Sequence, residues 1–190
     1  LYVVYATTKP GAGMTKGTSC FLVPRDTPGF TVVRCNETLG GRYMNNGEIV
    51  LEDCAVPKDH CLVQDVALAK AGVYFRPGKI IQGSKNIGVA VRAFEETAKY
   101  VQEYVQGGKP LIRHQATALR LADMATRICA VRGLLREASR AVDEKSPDAE
   151  VLCNMVKLYA SEAVLEVCKH AMELHGGNGT MLEFGIEKLY

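Results

Sequence analysis

From about residue 66 onward the apolar residues recur every three or four positions, and no other feature limits the fold as much. The first stripe runs Ile80, Ile87, Val91, Phe94, Ala98, Val101 and Val105. A second runs Leu121, Met124, Ile128, Val131, Leu135, Ala138 and Val142, a strict three-four alternation. The third takes Leu152, Val156, Ala160, Ala163, Val167, Ala171 and Leu174. Each is the pattern of a helix with one buried face. The second segment, at 1.5 Å per residue, spans roughly 50 Å. Long helices joined by short connections predict an antiparallel up-down bundle.

Helix-breaking residues fall between the stripes. Gly107-Gly108-Lys109-Pro110 is read as the end of the first helix and the start of the second, with Pro just inside the start. Ser146-Pro147-Asp148 separates the second from the third, and Gly176-Gly177-Asn178-Gly179 stops the third. A fourth helix is expected to begin near Leu182, with Ile186–Tyr190 read as a helix cut off in progress.

Residues 1 to about 65 have the period of strands. Runs 1–7, 18–24, 30–34 and 48–53 are rich in Val, Ile, Phe, Tyr and Thr, bounded by Gly, Pro, Asn or Asp. Lys9-Pro10-Gly11-Ala12-Gly13 is a hairpin-type connection, and Thr27-Pro28-Gly29 has the residues of a tight turn. Leu39-Gly40-Gly41 and Asn45-Asn46-Gly47 mark a longer loop. Such strands leave open edges, so this half is expected to complete its sheet with residues outside 1–190. The predicted class is α+β, mostly α. A partial β-barrel or sheet segment over 1–65 precedes an up-down helical bundle over 66–190. Both ends read as cuts through structure, so the chain is expected to be a piece of something longer.

Composition narrows the function only by exclusion. Net charge is +2 over 190 residues, with 23% charged side chains, so no charge field points to nucleic acid or a membrane surface. No apolar run approaches the roughly 20 residues of a membrane span. Seven cysteines at irregular spacing, without CxxC, predict neither a disulfide framework nor a zinc site. They read as small buried hydrophobes.

Taken singly, the histidines 60, 114, 170 and 175 read as structural or solvated. No pair has the spacing of a helical zinc motif, and no acid stands isolated in an apolar setting as a tuned base would. Gly11-Ala12-Gly13 lacks the following helix of a dinucleotide fingerprint. The 176–179 glycine run follows a helix. Its missing side chains allow close approach of a neighbouring helix or of a cofactor.

Several stretches, in order over nearly the whole chain, resemble the acyl-CoA dehydrogenase family. Asp26-Thr27-Pro28-Gly29-Phe30, Leu39-Gly40-Gly41-Arg42 and Ile49–Pro57 are similar to its middle β domain. Gly108-Lys109-Pro110-Leu111, His114-Gln115 and Leu121-Ala122-Asp123-Met124 resemble its "F-G-K-P-L…H-Q…L-A-D-M". His175-Gly176-Gly177-Asn178-Gly179 and Glu187-Lys188-Leu189-Tyr190 resemble its "G-G-x-G…E-x-x-x-R-D".

The resemblance implies the second half of the middle β domain followed by most of the carboxy-terminal four-helix domain. It implies FAD between the two, its adenosine end reaching an adjacent subunit. It further implies α,β-dehydrogenation of an acyl-CoA thioester, with a glutamate taking the α-proton and the flavin taking the β-hydride. Electrons then pass to an electron-transfer flavoprotein, from a homodimer or homotetramer. The compartment implied is cytoplasmic in a bacterium and the mitochondrial matrix in a eukaryote.

Carried over position by position, the resemblance makes His114, Gln115, Glu173, Leu174, His175, Gly176 and Gly177 contacts to FAD. It makes Arg76, with Lys79 as the alternative, a basic residue near the substrate. No catalytic base is found within 1–190, because the family's "Y-E-G-T" stretch lies beyond its "R-D" motif, so this piece is expected to be inactive by itself. A second departure is local. The arginine and phenylalanine of "R-x-x-F-G" are Tyr104 and Gly107 here. Losing a guanidinium fork removes a bidentate contact to phosphate. The rival readings are an acyl-CoA oxidase or flavin monooxygenase on the same scaffold, and a non-catalytic paralogue subunit.

Overall fold

The computed structural model describes residues 1–38, 41 and 44–190, with Val73 and Tyr74 described by backbone alone. The Leu39-Gly40-Gly41-Arg42 stretch lies, but for Gly41, outside them. The chain divides into two compact units, Leu1–Tyr74 and Phe75–Tyr190.

The first unit holds two small antiparallel sheets. One has strand order β1-β2-β5, built from β1 (Tyr2–Thr7), β2 (Thr18–Val23) and β5 (Cys61–Val63). Its register runs from Tyr2 opposite Val23 to Thr7 opposite Thr18. The connection between β1 and β2 carries a single helical turn, α1 (Met14–Gly17). The other sheet pairs β3 (Phe30–Asn36) with β4 (Asn46–Leu51). Asn46 and Gly47, read from sequence as loop, therefore open a strand. Gly29 has φ 83, and a Cβ there would lie 2.0 Å from the Glu52 carbonyl oxygen, so the Pro-Gly turn tolerates no side chain. β5 was not predicted, because three residues are too few to show a period.

Helices α2 (Ala67–Glu103), α3 (Gln115–Asp143) and α4 (Ala149–His175) carry the rest. The contacts set their directions. Along α2 and α4, Arg76 meets Glu150, Asn86 meets Ser161 and Tyr100 meets His175, so these helices run parallel. Arg120 of α3 meets Glu173, and the short 144–148 connection turns α3 back into α4, so α3 runs opposite to both. This is the expected up-down bundle. Its core brings Ala90 and Ala93 of α2 against Met124 and Ile128 of α3 and Val167, Cys168 and Ala171 of α4.

The predicted stripes of α3 and α4 face this core. That of α2 is displaced. From Ala90 onward its buried positions are Ala90, Ala93, Thr97 and Val101, while Val91, Phe94 and Ala98 are only half-buried. Small residues let α2 approach closely, and hydropathy favours the larger side chains beside them.

Two predicted boundaries are corrected. Gly107 and Gly108 have φ 63 and 78 and form the turn of a two-strand ribbon, β6 (Val105–Gln106) with β7 (Lys109–Pro110). Consecutive left-handed residues fit a tight hairpin turn. Pro110 is thus a strand residue, and α3 begins five residues later. No α-helix forms near Leu182. Gly185 at φ 66 breaks the run, and only a 3-10 turn, Glu187–Leu189, follows. Ile186 is nevertheless fully buried in the bundle core. Cys20, Cys153 and Cys168 are buried as expected, but Cys35 and Cys129 are exposed.

Candidate functional site

Three chain segments converge at one end of the bundle. The first is the C-terminus of α2 with the ribbon after it. The second is the N-terminus of α3. The third is the C-terminus of α4 with the 3-10 turn Gly176–Thr180. Between them lies a hollow of about 530 Å³ lined by residues of all three. Glu173, Leu174, His175, Gly176 and Gly177 line it, so five of the sequence-predicted residues come together. His114 and Gln115 do not line it themselves. His114 turns its Nε2 to the Gln106 carbonyl at 3.0 Å and thereby ties the ribbon to the start of α3. Gln115 is exposed in the first turn of α3. Leu111 and Thr117, on either side of this pair, do line the hollow. Arg76 is elsewhere, paired with Glu150 at 3.0 Å, and Lys79 donates to Asn154.

One wall is aromatic. Tyr104 stacks on Tyr100 with ring centroids 5.0 Å apart, and Tyr100 stacks on His175 at 4.1 Å. Phe184 closes on Tyr100 edge-on at 6.0 Å. The column is fixed by polar contacts. Asn178 donates to the Tyr100 hydroxyl at 3.0 Å, and His175 Nδ1 lies 2.7 Å from the Ala171 carbonyl, which requires the proton on Nδ1. Burial pushes the His175 pKa down, partly offset by that carbonyl and by Glu96. A neutral ring stacks in this apolar setting without the cost of burying a charge. Sequence reasoning missed Tyr100, Thr117, Asn178 and Phe184. The spacing of Tyr100, in the last turn of α2, and Tyr104, one residue past its end, is a signal that could have pointed there.

The electrostatics are mild. Among the described residues the lining contains no lysine or arginine, and its carboxylate, Glu173, has Arg120 3.6 Å away. Arg120 also donates to His170 Nε2 at 2.6 Å, and beyond it Asp123 accepts from Arg127 at 2.7 Å. Glu173 is thus tied into a charged network rather than poised as a base. The opposite wall offers donors. His114 caps α3 without a side-chain hydrogen bond, and a helix leaves its first backbone N–H groups free of intrahelical partners. Gly176 and Gly177 complete the cradle: a Cβ at either would meet nothing in the protein. Among the described residues no group of His, Cys, Asp and Glu is arranged to hold a metal. No described helix is long and apolar enough to cross a membrane.

These features suit an elongated ligand with a planar ring at one end and hydrogen-bond acceptors at the other. Comparison with known proteins gives the family. Residues 69–190 match the model of the acyl-CoA dehydrogenase C-terminal domain. The chain is 34% identical over 189 residues to the caffeyl-CoA reductase–Etf complex subunit CarC of Acetobacterium woodii, covering 99% of this chain and 49% of that protein. Butyryl-CoA dehydrogenase from Megasphaera elsdenii superposes with a TM-score of 0.91 at 28% identity, over 99% of this chain and 49% of that one. A structure of PigA with FAD and proline superposes at 0.90 with 26% identity, over 98% and 49%. The chain spans about half the length of the relatives it matches. By its sequence match and by the architecture built above, it belongs to the acyl-CoA dehydrogenase family.

Proposed function

We propose that this chain is the carboxy-terminal portion of a flavin-dependent oxidoreductase acting on the α,β-bond of an acyl-CoA thioester. In this reading it supplies FAD-contact and subunit-interface surface. The observation that carries the proposal is the hollow itself. An aromatic column, a cradle of two glycines and the donor end of a 29-residue helix face one cavity.

FAD fits this set of residues. The amides and Gln115 at the start of α3 would take its phosphate oxygens, as helix N-termini do. Gly176 and Gly177 would let the cofactor lie against the chain, and the rings of Tyr104, Tyr100 and His175 would wall its planar end. When bound, the flavin supplies the acceptor or donor for hydride at the β-carbon. In this reading the residues of this chain bind and orient, and no described residue is assigned the α-proton. Redox exchange with an electron-transfer flavoprotein is part of the proposal, since CarC belongs to an Etf complex. Association as at least a homodimer is part of it too.

The test is a visible spectrum of the whole protein that carries this chain, with and without acyl-CoA. Bound flavin whose visible band bleaches anaerobically on adding a saturated acyl-CoA is the expected result. A protein that never holds flavin, or flavin indifferent to every acyl-CoA, overturns the proposal. A second reading, a carrier-linked substrate other than a CoA thioester, is favoured by the likeness to the prolyl acyl carrier protein oxidase AnaB. Bleaching by a prolyl thioester and not by acyl-CoA would select it.

A further inference from the structure

We infer that His170 and Arg120 form a proton-sensitive latch between α3 and α4: the neutral imidazole holds the Arg120 guanidinium, and the protonated imidazole releases it.

His170 is 5% exposed and lines a groove with Leu119, Arg120, Asp123 and Arg127 of α3 and Glu166 of α4. Arg120 Nη1 lies 2.6 Å from its Nε2. A guanidinium has only donors, so Nε2 accepts and the ring proton sits on Nδ1. Nδ1 faces Asp123 Oδ2 at 3.4 Å, yet it is buried without a hydrogen-bond partner among the described residues. Asp123 is already engaged, accepting from Arg127 Nε at 2.7 Å. The ring is thus held through Nε2, by a residue on another helix.

A second proton has one place to go, Nε2, and there it meets a donor. Two N–H groups of like charge cannot stay 2.6 Å apart, so one partner moves. The imidazole is buried, whereas the Arg120 side chain is 50% exposed and opens on the groove. Arg120 is therefore the part that leaves. The other charges around the pair make both positions tenable. On α3, Asp123 steadies the imidazolium once the guanidinium has gone. On α4, Glu166 is paired with Lys169 at 3.8 Å, and Glu173, 3.6 Å from Arg120 Nη2, draws the guanidinium back while the ring is neutral. Histidine is the side chain whose charge changes between about pH 5 and 8, so acidification opens the latch. Opening removes a charge-assisted bond between the two helices. It also leaves Glu173, in the wall of the hollow, without its neighbouring cation.

The test is amide hydrogen exchange of the whole protein that carries this chain, at about pH 7.5 and about pH 5.5, each corrected for the intrinsic exchange rate. Peptides from the start of α3 and the end of α4 report local opening. Their protection should fall on acidification about tenfold further in the parent than in His170→Gln, the equivalent of one charge-assisted hydrogen bond. His170→Gln keeps an acceptor for Arg120 and cannot gain a proton. Arg120→Met keeps the aliphatic stem and removes the guanidinium, so its imidazole faces Asp123 with nothing to expel. Its protection should start low and show only the smaller fall of His170→Gln. His175, at the end of α4, is common to all three proteins, so the difference between them belongs to the latch.

No fall in the parent, or a fall in His170→Gln as large as the parent's, overturns the latch. If burial of the new amide prevents His170→Gln from folding, Arg120→Met decides, because that side chain is half in solvent. A fall in Arg120→Met equal to the parent's overturns the latch, and a fall about tenfold smaller upholds it.

Discussion

His175, the residue before a diglycine and by the family resemblance a contact to FAD, is in the structure the buried end of an aromatic column and the last residue of α4. Its proton inventory leads to a pH dependence. Burial lowers its pKa below the ordinary 6.5, and the unfolded chain restores that value. Between the lowered value and 6.5 the unfolded state binds more protons than the folded one, so stability rises with pH across that window. The contribution is complete above 6.5 and shrinks as pH falls. His175→Phe keeps a ring against Tyr100 and has no proton to gain. Urea midpoints at about pH 7.5 and pH 5 should therefore drop further in the parent than in His175→Phe. Equal drops would show that His175 titrates no differently when folded. Tyr104 and Gly107 show another limit at this scale. Sequence marked both as departures from the family, but their consequences needed coordinates. Gly107 makes the left-handed turn of a ribbon, and Tyr104 extends a stack whose far member, His175, is remote in sequence.

At the scale of elements, α3 and α4 were legible because their large apolar residues form the buried stripe, and hydropathy reads large apolar residues. The buried face of α2 escaped because it is built from Gly, Ala and Thr. Gly83 shows why. A Cβ there would lie 2.5 Å from Val156 Cγ1 and 3.1 Å from Leu135, so the helices meet where a side chain is missing. Val156 is fully buried and β-branched, so its rotation in a helix is restricted. Gly83→Ala should gain about 1 kcal/mol of helix propensity and lose about 1–3 kcal/mol to overpacking, a net destabilisation of about 1 kcal/mol. Gly133→Ala, in α3 with open space around it, should instead stabilise by up to about 1 kcal/mol. Chemical denaturation of the two variants gives the comparison, and a stabilised Gly83→Ala would mean that α2 does not approach α4 as closely as described. The ribbon at 105–110 and the tail from Met181 were misread for a related reason. Glycine signals a break in a helix but not what replaces it, and Ile186 is buried by tertiary contact rather than by helical period.

For the molecule as a whole, the surface of α4 poses the remaining problem. Its inner stripe is buried, yet Val151, Met155, Leu158 and Leu165 are 52%, 48%, 61% and 51% exposed. Their spacing of four, three and seven residues places them in one row, about 21 Å long at the helical rise. Leu119 of α3 adds another exposed apolar side chain at 63%. Exposed apolar side chains gathered on one helix face suit a contact with another surface. Cys168 and Met172 are not part of this outer surface. Cys168 is buried in the core and Met172 packs against it. The outer row is narrow, and Ser161 and Glu162 interrupt it between Leu158 and Leu165. The proposed occupant is a second copy, because two-fold contact lets one apolar row cover its equivalent without a separate partner. Leu165→Glu or Met155→Glu would place a carboxylate in that contact, where an unpaired charge is strongly unfavourable. Neither side chain packs into the bundle core, so the fold should survive while association weakens. Light scattering over a concentration series is expected to show the parent as a dimer or larger, and both variants shifted towards monomer with unchanged circular dichroism. A parent that stays monomeric at high concentration would return this row to solvent and require another account of why α4 carries it.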